Sequence, residues 1–128
     1  MIYLDSSVAL AHLLAEPRKP AESLWKETCV SSRLLEYEVW SRLHARRLGL
    51  AKADEVRGLL DRVGLIELEP PVLARALEPF PVQVRTLDGL HLATMVFLQA
   101  NGQQLELASY DERLVAAAGA LGIGAVEI

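Results

Sequence analysis

Two aspartates of this chain follow apolar strand-like runs, and a carboxylate in that position can bind a ligand. Asp5 comes directly after Met1–Leu4 and precedes a helix-like stretch. Asp111 comes shortly after Leu105–Ser109, where the chain again turns into a helix. Parallel strands present their carboxyl ends at one edge of a sheet, which is where α/β folds bind their ligands. The sequence therefore predicts that the two aspartates share that edge.

Two further acidic positions lie in helices. Asp88 lies in the first turn of a helix that is apolar on nearly every face, where an unpaired carboxylate is costly unless a cation binds it. A glutamate of an earlier helix, Glu36 or Glu38, completes the set. These two point about 200° apart on a helix of 3.6 residues per turn, so helical phase does not choose between them.

Each aspartate also has a purely structural explanation. Asp111 can cap its own helix, and Asp88 can favour the positive end of its helix. Asp5 can accept hydrogen bonds from the turn at Ser6 and Ser7. A site requires that the acids converge, and spacing alone makes them a candidate metal site.

Converging carboxylates would select a particular ion and chemistry. They repel one another unless a cation neutralises them, and oxygen-only ligands suit Mg²⁺ or Mn²⁺. Such an ion can activate water and shield a phosphodiester, which predicts hydrolysis. Zinc is not expected, because His12, His44 and His91 lack ligand spacing and the single cysteine, Cys29, is isolated.

Length and composition indicate a single domain, residues 1–128, with an Ala/Leu/Val core. Hydrophobic residues make up 52% of the chain and aromatic residues 5%. No apolar run reaches the roughly 18 residues of a membrane span, and the first residues lack the features of a signal peptide. With one cysteine and hence no internal disulfide, a cytoplasmic protein without membrane contact is expected.

Charge is unevenly distributed along the chain. The net charge of −4 argues against a passive nucleic-acid binder. Arginine and lysine residues are nevertheless concentrated between Arg33 and Arg62. They can form a basic face for an RNA backbone or simply a solvated helix surface.

Strands and helices alternate in the predicted order. Strands are expected at Met1–Leu4, Thr28–Ser31, Leu65–Leu68, Leu105–Ser109 and Ala125–Ile128. Helices are expected at Ser7–Leu14, Pro20–Glu27, Ser32–Leu48, Asp54–Val63, Pro70–Leu77, Thr86–Ala100 and Asp111–Leu121, with Gly49 and Gly64 as helix stops. The alternation predicts a three-layer α/β/α sandwich with a mainly parallel central sheet.

Four ordered segments resemble the PIN-domain ribonucleases, specifically the VapC-type toxins of toxin–antitoxin pairs. They are Ile2–Ser7, Val30–Leu43, Leu87–Ala93 and Ala108–Leu114. The resemblance covers nearly the whole chain and implies a PIN-like fold. It also implies an endoribonuclease dependent on Mg²⁺ or Mn²⁺, an inhibitory antitoxin that occupies the active-site groove, and a homodimer.

The resemblance carries site residues over to this chain. The acidic set becomes Asp5, Glu38, Asp88 and Asp111, with Glu36 as the fallback for Glu38. Ser7 and Ser109 match small hydroxyl positions that support the site, and Arg42, Arg46 and Arg47 are candidates for RNA binding.

Two other functions stay open at this stage. A PIN-fold domain that has lost its chemistry could act only through protein interactions. An Asp-nucleophile phosphotransfer enzyme could use Asp5, although such enzymes of the haloacid dehalogenase kind expect a second aspartate where this chain has Ser7.

Overall fold

The computed structural model describes residues 1–128 and contains one sheet of four parallel strands with helices on both faces. The strands are β1 (Ile2–Leu4), β2 (Cys29–Ser32), β3 (Val63–Ile66) and β4 (Glu106–Ala108), in the order β3-β2-β1-β4. The helices are α1 (Ser6–Leu13), α2 (Leu34–Ala45), α3 (Gly49–Leu60), α4 (Pro70–Ala76), α5 (Thr86–Ala100) and α6 (Glu112–Ala120). No helix combines the length and the apolar character needed to cross a membrane.

Side chains of β1 alternate between two apolar clusters, as the period of two in a strand requires. Ile2 and Leu4 pack in the cluster that includes buried residues of α1, α2 and α3. Tyr3 packs on the opposite face with buried residues of α5 and α6. Helices thus cover both faces of the sheet, and the predicted three-layer α/β/α class is confirmed.

The first strand is central and joins the two ends of the chain. Ile2 is paired with Cys29 of β2 on one side, and Leu4 is paired with Ala108 of β4 on the other. The backbone N–H of Asp5 donates to the carbonyl of Ala108 at 3.0 Å. Residues that follow β1 and β4 therefore meet at one edge, as expected from parallel pairing.

Two predicted elements are wrong. The expected final strand at Ala125–Ile128 is reduced to one parallel bridge between Leu107 and Ala125, because the chain leaves the edge of β4 after two hydrogen bonds. The expected helix at Pro20–Glu27 is a short 3₁₀-helix, Glu22–Lys26. Too few residues separate Pro20 from β2 for a stable run of α-helical turns.

The glycines predicted to stop helices have other positions. Gly49 begins α3, and the preceding helix ends through Arg47, whose φ of 59° is left-handed. A Cβ at Gly49 would lie 2.4 Å from the His44 ring, so this close approach requires glycine. Gly64 lies inside β3, since α3 already ends at Leu60.

Candidate active site

Asp5 connects β1 to α1 and is the N-cap of that helix. Its Oδ2 atom accepts hydrogen bonds from the Ser7 hydroxyl at 2.6 Å, the Ser109 hydroxyl at 2.8 Å and the Ser7 N–H at 3.4 Å. Its Oδ1 atom has no hydrogen bond to the protein and faces a cleft. The turn explanation is therefore correct for one oxygen, and the other is available to a ligand.

Ser7 and Ser109 each tie Asp5 to the turn that carries Asp111. Besides donating to Asp5, the Ser7 hydroxyl accepts from the N–H of Tyr110 at 2.9 Å. The Ser109 hydroxyl accepts from the N–H of Asp111, also at 2.9 Å. The two hydroxyls therefore fix the carboxylate of Asp5 relative to the start of α6.

Replacing Ser109 with alanine should destabilise the chain, because the buried N–H of Asp111 loses its acceptor. Leaving one buried group unsatisfied lowers the free energy of unfolding by about 1–3 kcal/mol. Urea unfolding followed by circular dichroism measures this change. Ser41→Ala removes an exposed hydroxyl on α2 and should leave the midpoint nearly unchanged. Equal midpoints for the two variants would contradict the role given to Ser109.

Asp111 is the N-cap of α6 and uses its two oxygens differently. Oδ1 accepts from the N–H groups of Arg113 at 3.0 Å and Leu114 at 3.3 Å, so the capping explanation is correct. Oδ2 accepts a hydrogen bond from Arg85. Burial by itself would raise the pKa of Asp111, but the hydrogen bonds from Leu114, Arg85 and Arg113 lower it overall. Asp111 is held as an anion while one oxygen faces the cleft.

An arginine that the sequence did not single out links two of the predicted acids. Arg85 immediately precedes α5, and its Nε donates to Oδ2 of Asp88 at 2.9 Å. Its Nη2 donates to both Asp88 and Asp111. The spacing of three residues between Arg85 and Asp88 was the available signal, since residues at i and i+3 meet on a helix surface. The guanidinium partly neutralises the acidic side of the cleft.

Asp88 is destabilised in its charged form. Burial raises its pKa above the ordinary value of 3.8, and the charges of Asp111 and Asp5 act in the same direction, against the opposing effect of Arg85. A raised folded-state pKa means that the folded chain binds this proton more tightly than the unfolded chain. Stability therefore falls as the pH rises from about 3.8 through the raised value, and the loss persists at neutral pH.

We therefore expect Asp88→Asn to raise the melting temperature at pH 7 by a few degrees, because the amide carries no charge to desolvate. The gain should disappear near pH 3, where Asp88 is protonated in both states. Calorimetry in EDTA at the two pH values measures the difference. A lower melting temperature for the variant at pH 7 would contradict this account.

The two candidate glutamates of α2 have different environments. Oε1 of Glu38 lies 2.5 Å from Nε2 of His91, and the side chain is 17% exposed and faces the cleft. The Glu36 side chain is 44% exposed and lies 3.6 Å from Arg33, outside the cleft. Contacts across the fold thus separate two residues that helical phase left equivalent.

All four acids of the predicted set line one cleft of about 380 Å³. Its lining consists of Asp5, Ser6, Ser7, Leu10, Glu38, Arg42, Arg85, Thr86, Leu87, Asp88 and Asp111. No three acidic, histidine or cysteine side chains lie close enough together to hold a metal ion by themselves. The donor set is nevertheless oxygen-only, and Mg²⁺ needs just one or two direct carboxylates because it keeps several waters. The residues present fit such an ion.

A second, smaller cleft of about 190 Å³ adjoins the first and is basic. It shares Ser7, Leu10 and Arg42 with the acidic cleft and adds two further arginines, Arg18 and Arg46. The Arg18 guanidinium lies 4.4 Å from the centre of the Tyr110 ring. No carboxylate lies within 4.0 Å of any of the three arginines, although Glu16 also lines this cleft.

The predicted RNA-binding arginines are thereby divided. Arg42 lines both clefts and Arg46 lines the basic one. Arg47 lines neither, and its left-handed backbone serves the turn between α2 and α3. Sequence reasoning also missed Arg18, which lies far from the other arginines along the chain.

Comparison with known proteins identifies relatives of nearly full length. A family model described as PIN domain matches residues 2–120. Ribonuclease VapC46 of Mycobacterium tuberculosis (strain ATCC 25618 / H37Rv) is 35% identical over 129 residues, which covers 98% of this chain and 95% of that protein. Ribonuclease VapC47 of Mycobacterium tuberculosis (strain CDC 1551 / Oshkosh) is 30% identical over 122 residues, covering 90% and 88% respectively.

Proposed function

Because the chain belongs to the PIN-domain family, in its VapC-type ribonuclease branch, we propose that it is a metal-dependent endoribonuclease that hydrolyses phosphodiester bonds in RNA. One observation carries the proposal: four carboxylates from separate parts of the chain line a single cleft. The proposed catalytic and cation-binding residues are Asp5, Glu38, Asp88 and Asp111. Ser7 and Ser109 support the site through their hydrogen bonds to Asp5.

The charge of the cleft supports a requirement for a cation. Four carboxylates face only two guanidinium groups, those of Arg42 and Arg85. An RNA phosphate entering this cleft would be repelled unless positive charge were added. When bound, Mg²⁺ or Mn²⁺ supplies that charge and lowers the pKa of a coordinated water.

The protein's own residues then have defined tasks. Asp5, with its Oδ1 free, and the neighbouring carboxylates would hold the ion. Carboxylates that face the attacking water can orient it and accept its proton. The side chain of Arg85 is 54% exposed, so it is free to exchange its aspartate partners for a phosphate oxygen.

The test is cleavage of single-stranded RNA by purified protein in Mg²⁺ or Mn²⁺. We expect cleavage that EDTA abolishes and that fresh metal restores. Absence of cleavage for every RNA tried, with partner binding intact, would favour a silent interaction domain. A covalent phosphoryl group on Asp5 would instead indicate the Asp-nucleophile mechanism.

We propose that RNA continues from the acidic cleft into the basic one, where Arg42 and Arg46 contact its phosphates. Their unpaired guanidiniums in a chain of net charge −4 support an anionic ligand. The double substitution Arg42→Ala, Arg46→Ala should weaken RNA binding roughly uniformly across sequences, and it should reduce the salt dependence by about 0.7 per lost phosphate contact. Fluorescence anisotropy with labelled RNA at several salt concentrations measures both effects.

Arg47→Ala is the matched control for this prediction. It removes the same charge one residue away, outside both clefts. An equal loss of affinity for this variant would show that only overall charge matters.

We also propose an antitoxin and a second copy of the chain as protein partners, and a cytoplasmic location. Exposed apolar side chains between α4 and α5 support a protein-covered surface: Leu73, Leu77, Val82 and Leu87. Sedimentation of the purified chain measures self-association, and co-expression with the adjacent reading frame tests the antitoxin.

A further inference from the structure

The Glu38 carboxylate is held from inside the protein. Its partner, His91, is fully buried on α5, three residues after Asp88. The distance between His91 Nε2 and Glu38 Oε1 is 2.5 Å, which is typical of a strong bond to a charged group. A buried imidazole therefore reaches the cleft only through this carboxylate.

The other ring nitrogen of His91 continues the connection into the sheet. Nδ1 lies 2.7 Å from the hydroxyl oxygen of Tyr3, and the two rings meet edge-on at 85°. That hydroxyl oxygen accepts from the backbone N–H of Ser32 at 3.2 Å. Tyr3 is also fully buried, in the middle of β1. Three hydrogen bonds thus join the backbone of β2 to the cleft.

The donors and acceptors of this chain have one consistent arrangement. Tyr3 retains its hydrogen at neutral pH, because burial raises the pKa of its phenol. Its oxygen receives the Ser32 N–H, so its own hydrogen is available to Nδ1 of His91. Nδ1 is then an acceptor, and the neutral ring carries its hydrogen on Nε2, which faces the carboxylate. Each group satisfies the next.

We propose that His91 is a positioning residue, which orients the carboxylate of Glu38 in the active-site cleft through a tautomer that Tyr3 selects. Without the tyrosine hydroxyl the ring could place its hydrogen on Nδ1. A lone pair would then face the carboxylate, and Glu38 would lose its donor. The proposal rests on the proposed function, since it takes Glu38 as part of the cation site.

The test combines a spectroscopic readout with metal affinity on the full chain. Imidazole ¹⁵N spectra of histidine-labelled protein should show a protonated Nε2 and an unprotonated Nδ1 for His91. Tyr3→Phe keeps the ring and removes the hydroxyl, and it should populate both tautomers. It should also weaken Mn²⁺ binding about 10- to 100-fold, the usual effect of losing a partner of a metal ligand. For RNA cleavage we expect a lower kcat with little change in KM.

Ile123→Val is the matched control, since Ile123 lies in the same apolar cluster as Tyr3 without touching the hydrogen-bond chain. It should leave both the ¹⁵N pattern and the Mn²⁺ affinity unchanged. Either of two results would overturn the proposal: a hydrogen on Nδ1 of His91 in the parent protein, or Mn²⁺ affinity in Tyr3→Phe within twofold of the parent. The parent spectrum decides the first point even if the variant does not fold. A parent that binds no Mn²⁺ would refute the cation site, while the ¹⁵N spectra would still decide the tautomer.

Discussion

Replacing Asp5 with asparagine is expected to reduce RNA cleavage by at least about 100-fold while the chain stays folded. Asparagine has nearly the same shape, keeps an oxygen for the hydroxyls of Ser7 and Ser109, and is an equally good N-cap for α1. The charge is what it removes. Losing a partner of a metal ligand already costs 10- to 100-fold, so losing a ligand should reach at least the upper end of that range. Initial rates with single-stranded RNA and Mn²⁺, beside far-ultraviolet circular dichroism, give both quantities.

Asp61→Asn is the control for this substitution. Asp61 is exposed just after α3 and removes the same charge outside the cleft. It should retain the parental rate. A folded Asp5→Asn variant that cleaves RNA at the parental rate would remove Asp5 from the site and leave it as a turn residue only.

Glu38→Gln should reduce cleavage by at least about 10-fold, whereas Glu36→Gln should change it less than twofold. Both substitutions remove one negative charge from α2 and preserve side-chain length, so effects of overall charge cancel between them. Glu38 faces the cleft and bonds to His91, while Glu36 is exposed beside Arg33. The expected loss follows from the usual cost of disturbing a metal site.

The measurement is the ratio of kcat/KM for the two variants under identical metal and salt conditions. A larger loss in Glu36→Gln would transfer the role to that residue and would require α2 to rotate in solution. Equal and small losses would leave three aspartates as the acidic set.

The positions of Asp5 and Asp111 could be anticipated because they follow from local pattern plus one general rule. Each apolar run ends at a recognisable turn, and parallel strands share a carboxyl edge. The order of the strands was not accessible, since β1 lies between β2 and β4 through pairings distant in sequence. The short bridge at Ala125 misled for the opposite reason: an apolar tail resembles a strand whether or not a neighbour has room for it.

The contacts of the cleft could not be anticipated in the same way. His91 lies 53 residues from Glu38 and 88 from Tyr3 along the chain, and their meeting depends on how α5 packs against the sheet. From sequence His91 had no partner at ligand spacing and was set aside. Arg85 was also missed, because its second partner, Asp111, is 26 residues away and comes from another element.

The hydrogen bond between Ser109 and Asp5 spans 104 residues of the chain. Its consequence concerns the order in which the protein is made. The first strand emerges from the ribosome early, yet its neighbour β4 and the serine that holds Asp5 are synthesised near the end. Contacts of such high sequence separation form late, since the intervening loop must close first. A nascent or truncated chain that stops before Ser109 therefore lacks the assembled acidic cleft, and a ribosome is nearly finished with the chain before that cleft can exist.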